Sequence, residues 1–166
     1  MKYFTGSLWK DSNSDDRIIR EQAQTEWKKR DALYTERYQK EKVLFPDDFI
    51  ELLEKTHGFH DFKIRRITMN MEEWPKRFCA VELSDGEKVF ELFFQKVSAF
   101  MVSCPSLHPG FYNELRWGYM EIGHKGRQLT LSVLCDFENE FTIHFKTVSI
   151  NTRTIRAVMS TGDGSV

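Results

Sequence analysis

The chain has 166 residues, 40% hydrophobic and 30% charged, which is one domain's length with apolar side chains enough for a single core. Its 24 Lys plus Arg against 25 Asp plus Glu leave a net charge of -1, no electrostatic footprint for nucleic acid or an anionic membrane surface. The three cysteines, Cys79, Cys104 and Cys135, show no C-x-x-C spacing, which argues against a disulfide framework and a zinc cage, and no run approaches the ~20 apolar residues of a membrane span. The expectation is a reduced, cytoplasmic protein that folds without cofactor or metal.

In chain order, the opening Met1-Lys2-Tyr3-Phe4-Thr5-Gly6 lacks the apolar core of a signal peptide. Residues 11–16, Asp-Ser-Asn-Ser-Asp-Asp, are turn and N-cap chemistry, so a helix is expected from about Ser14. From Asp15 to Lys42 there is no Gly or Pro, and Asp16/Arg20, Glu26/Arg30 and Glu36/Lys40 stand acid before base at i, i+4. This predicts a long, mostly solvated helix whose stripe of Ile19, Ala23, Trp27, Tyr34 and Tyr38 lies across a sheet or a partner. Pro46-Asp47-Asp48 opens a second helix, with Phe49, Ile50, Leu52 and Leu53 as its apolar face and His57-Gly58 as its end.

After Gly58 the period changes to alternation, and a sheet is expected from about residue 60 to 158. A strand is predicted at 61–71, where Arg65-Arg66 breaks the pattern and marks a bulge. Asp85-Gly86, taken as a two-residue turn, sets Leu83 opposite Lys88, Val81 opposite Phe90 and Cys79 opposite Leu92. Further strands fall at 97–103 and 153–158. Lys125-Gly126 as a turn places Ile122 opposite Leu129 and Met120 opposite Leu131, and a turn near Phe137-Glu138-Asn139 sets Cys135, Val133 and Leu131 against Phe141, Ile143 and Phe145. The fold class is therefore α+β: N-terminal helices, one long and charged and one short, over about 14–57, then an antiparallel sheet of roughly six to eight strands. One domain is expected over 1–159, with 160–166 a disordered tail.

No catalytic motif is present. His57 and His60 sit two apart, and a metal would need further ligands that the sequence does not offer; the plainer reading is a helix-capping and a strand-initial histidine. Cys135 falls on a core face as an inert thiol, and Asp47, Asp48, Glu51 and Glu54 read as a solvated helix face. The loop from Cys104 to Tyr112, rich in Pro and Gly, is the irregular segment best suited to a pocket, with Cys104, His108 and Tyr112 as its candidates. More informative are Trp117 and Tyr119, placed on the face opposite Met120 and Ile122 and close in sequence to Phe111 and Tyr112. Either the long helix covers them through Trp27, Tyr34 and Tyr38, or they form an exposed aromatic patch for a protein partner or a second copy of the chain.

Four stretches carry a family resemblance: Met1-Lys2-Tyr3-Phe4-Thr5, the proline-led helix running into His60-Asp61-Phe62-Lys63, the Trp117-Gly118-Tyr119-Met120-Glu121 strand and the closing strand from Phe141 to Val148. Together they resemble the uncharacterised bacterial family called domain of unknown function 4085, although the chain is shorter than that family's pattern in its N-terminal region. The resemblance implies a small cytoplasmic bacterial protein with no assigned activity, and so no catalytic residues to carry over. The leading functional expectation is a non-enzymatic protein-interaction module, immunity-type or regulatory. The competing one is a small-ligand binder or enzyme with its pocket beside the 104–112 loop.

Overall fold

The computed structural model describes residues 1–73, 75–103 and 115–155. Three α-helices come first: α1 (Gly6–Ser12), α2 (Arg17–Glu41) and α3 (Asp47–Lys55). Eight strands follow among the described residues: β1 (Lys63–Asn70), β2 (Phe78–Ser84), β3 (Lys88–Gln95), β4 (Ala99–Ser103), β5 (Trp117–Lys125), β6 (Gln128–Cys135), β7 (Glu140–Phe145) and β8 (Thr147–Thr154). The α+β class, helices before antiparallel strands, is as expected. The strands, however, form two four-stranded sheets, ordered β1-β2-β3-β8 and β4-β7-β6-β5.

The sequence reading missed α1, whose N-cap Thr5 accepts from the Leu8 N–H. It placed the start of α2 a few residues early: Asp16 is the N-cap, accepting from the N–H groups of Ile18 and Ile19. Pro46 caps α3, with Asp47 and Asp48 in its first turn where the dipole favours negative charge.

The two sheets are one bent wall. Chain continuity carries the β3/β8 ladder of the first sheet into the β4/β7 ladder of the second, through Lys96, whose φ of 52° turns the corner, and Lys146. Bonds from the Lys146 N–H to the Gln95 carbonyl (3.1 Å) and from the Ser98 N–H to the His144 carbonyl (2.9 Å) tie that corner. At the other side the start of β1 pairs with the start of β5: Trp117 N–H donates to Phe62 O and Ile64 N–H to Leu115 O, both at 2.8 Å. The inner surfaces share one core with α3: Phe49 and Leu53, Val81 and Leu92, and Leu131 and Ile143 all belong to it. Phe94 and Phe145 touch across the sheets with ring centroids 4.8 Å apart.

All three hairpins slide by two residues and, Trp117 apart, keep their predicted faces. In the first, Leu83 pairs with Phe90 and Val81 with Leu92, because the Asp85 carboxylate accepts from the N–H groups of both Glu87 and Lys88 and holds a longer loop. In the second, Ile122 pairs with Leu131, since Gly126, at φ 62°, stands first in the turn rather than second. In the third, Val133 pairs with Phe141 and Leu131 with Ile143, so Cys135 lies beyond that ladder and pairs with Trp117 instead. A slip of two preserves the side to which each residue points, which is why the core was foreseen while the register was not. The bulge expected at Arg65-Arg66 is present, between Ile64 and Arg66.

Candidate functional site

Tyr119 and Trp117 were expected to share one face, and a bulge between them separates them. Gly118 makes that bulge possible: a Cβ there would stand 2.7 Å from the Leu134 carbonyl oxygen. Trp117 turns inward, 0% exposed, against Phe59 and Phe141 with centroids 5.7 Å from each. This corrects its assignment to an interface, because a residue inside the core offers no surface. Tyr119 points outward and is half-buried, with Trp27 at 4.6 Å and Phe4 at 5.3 Å. The long helix therefore does cover it, together with the N-terminal segment. Phe111, Tyr112, Cys104 and His108 lie outside the described residues.

The cover is pinned by polar groups. The Glu121 carboxylate accepts from the backbone N–H groups of Lys2, Tyr3 and Phe4 at 2.6–3.0 Å, which seats Phe4 between the rings of Tyr34 and Tyr119, 5.3 Å from each. The Ile122 N–H on edge strand β5 donates to the Tyr34 hydroxyl at 2.8 Å. At the far end of α2, the buried Glu41 carboxylate meets Arg37 at 3.2 Å and the His124 Nδ1 at 2.6 Å.

Where α2, the end of α3 and β5 fail to close on one another, they leave a cleft of about 350 Å³. Asp31, Tyr34, Thr35 and Tyr38 line it from α2, Leu53 and Glu54 from α3, and Gly118, Tyr119 and Met120 from β5. The remaining side is the turn that sequence reading treated as a helix end. His57, Gly58, Phe59 and Asp61 all hold left-handed backbone, with φ of 50°, 68°, 59° and 68°. For the three residues other than glycine this costs on the order of 1–3 kcal/mol each, strain that concentrates where a chain is shaped for a purpose beyond packing. The turn presents His57 and His60 to the cleft, His60 edge-on to Tyr119 with centroids 4.9 Å apart and its Nδ1 3.0 Å from Asp61.

The electrostatics keep the phenols protonated. Burial pushes Tyr34 far above the ordinary tyrosine range. Burial, reinforced by the Glu54 charge, pushes Tyr38 up to about 12. Tyr119 is raised by burial and then by the charges of Asp61 and Asp31. The Tyr38 hydroxyl donates to Glu54 at 3.5 Å, and the same carboxylate receives Lys42 Nζ at 2.9 Å. His57 and His60 do meet at this cleft, but among the described residues no three His, Cys, Asp or Glu converge as metal ligands.

Sequence reasoning named these histidines, weighing a metal-ligand role against a helix cap and a strand start. The signal for the cleft was the i, i+3, i+4, i+7 spacing of Asp31, Tyr34, Thr35 and Tyr38, which puts four chemically varied side chains on one side of α2. Compared with known proteins, the chain matches no family model, no curated protein and no solved structure.

Proposed function

We propose that this protein is a non-enzymatic binding module and that the cleft between α2, the 57–61 turn and β5 is its site. The observation that carries the reading is the cleft itself. Its size falls at the lower end of the range for small-ligand sites, roughly 300–1,000 Å³, and it combines aromatic walls with a few polar groups set on rigid elements. The left-handed turn that forms one wall seats Phe59 in the core and turns His57 and His60 to the cleft. A binding role is favoured over nucleophilic catalysis because burial holds the cleft's Tyr38 phenol protonated and pushes the Cys79 thiol, which lies in the core, up to about 12.

The protein-interaction reading, immunity-type or regulatory, stands second and moves to the same place. Asp31, Thr35 and Glu54 at the rim are exposed, so a side chain carried by a partner can reach the cleft. The resemblance to the uncharacterised bacterial family assigns no activity and leaves the cleft as the argument.

The test is a fragment screen by amide NMR, using anionic, neutral and cationic fragments on the protein and on Thr35→Trp, a surface change that fills the cleft. Shifts concentrated at residues 57–60 and 118–120 and lost in the variant are expected. Shifts elsewhere, or shifts that persist in Thr35→Trp, would refute the assignment.

A further inference from the structure

Resting on that cleft, we infer that its ligand is a small organic ammonium ion, bound between tyrosine rings and carboxylates. The charged side chains among its lining residues are Asp31 and Glu54, both acids, and no Lys or Arg lines it. The rings of Phe4, Tyr34, Tyr38 and Tyr119 supply the aromatic part of the wall, and a π-face draws a cation whose methyl or ammonium hydrogens reach it within about 6 Å. An anion would meet the carboxylates of Asp31 and Glu54, which disfavour it.

The protein already shows this chemistry once, at the Glu54 end. Lys42 Nζ lies 5.7 Å from the centre of the Tyr38 ring while ion-paired with Glu54 at 2.9 Å, a side-chain ammonium held by one ring and one carboxylate. The other end repeats the pattern of ring and carboxylate: Tyr119 lies within the electrostatic reach of both Asp31 and Asp61, with Tyr34 on the far side of Phe4. The His60 imidazole lies against Tyr119 and beside Asp61.

The experiment is a titration followed by amide NMR with choline and with 3,3-dimethylbutan-1-ol, its uncharged carbon counterpart. Choline is expected to bind at the cleft about tenfold more tightly than the alcohol, since the two share shape and differ in charge. Asp31→Asn, at an exposed helix position, should weaken choline by about threefold. Lys42→Met, which removes the resident cation and frees Glu54, should strengthen it. Equal binding of choline and the alcohol at the cleft would overturn the cation inference while leaving the cleft as a site. No binding of choline, at a cleft that other fragments occupy, would overturn it as well. Were no fragment to enter the cleft, the proposed function itself would fall.

Discussion

Trp117 and Tyr119 are two positions apart, and on an unbroken strand they would point the same way. The bulge at Gly118 sends one into the core beside Phe59 and Phe141 and leaves the other under Trp27 and Phe4. One glycine thereby converts a single aromatic face into a core anchor and a cleft wall. Burial of titrating side chains has a consequence for stability at this scale. The Cys79 thiol is raised from 9.0 to about 12 and Tyr38 from 10.0 to about 12, with Tyr34 also raised, and burial is the leading cause in each. Groups raised on folding stabilise the folded state below their unfolded pKa, and that contribution is lost as pH rises through the folded one. Urea unfolding at about pH 10.5 should therefore show a lower midpoint than at about pH 8, with about 2 kcal/mol of the loss due to Cys79. Cys79→Ala should remove that share of the slope, and a midpoint flat across this range would contradict the burial of these groups.

Among the elements, the N-terminal segment is held by its buried aromatic residues and by a single carboxylate. Glu121 receives three consecutive backbone N–H groups and so fixes the position of Phe4, which contributes to the cleft wall. Glu121→Ala leaves those donors to find water, and a cost of about 2–3 kcal/mol is expected from the loss of charge-assisted bonds. Amide exchange at residues 2–5 should accelerate strongly in this variant while the β6 and β7 amides stay protected; unchanged exchange at 2–5 would deny Glu121 its role. This tie was invisible in the sequence because it joins residues more than a hundred positions apart. What is local was legible: the helix starts near Asp16 and at Pro46, the Arg65-Arg66 bulge, and, Trp117 apart, which side chains of each hairpin face the core. What depends on the count of loop residues was not, since Asp85 and Gly126 each favour more than one turn, and a slip of two leaves the hydrophobic pattern unchanged. The cleft was half legible. His57 and His60 were singled out, but their relation to Tyr34, Tyr38 and Tyr119 is made by tertiary packing alone.

For the molecule as a whole, one bent wall of strands surrounds a core that α3 enters, and α2 lies outside it against β5. A helix lying outside a sheet edge, rather than sealed into the core, leaves a seam, and in this chain the seam is where the tyrosines, the histidine turn and two carboxylates gather. Elsewhere α2 packs on α1 and the N-terminal segment and pairs with itself, as in the Glu26 and Arg30 bond at 2.8 Å, and the seam is where its tyrosines meet the strands. Should the seam be the site, structure and function share an origin: the same Phe4, Tyr34 and Tyr119 contacts that fasten the helix shape the wall that a ligand meets. The most direct measurement is a crystal structure of the protein grown with choline. Density for the trimethylammonium group is expected against the aromatic wall, on the Asp31 side of the cleft. Choline bound elsewhere, or a vacant cleft in crystals grown at concentrations that saturate the protein in solution, would contradict it.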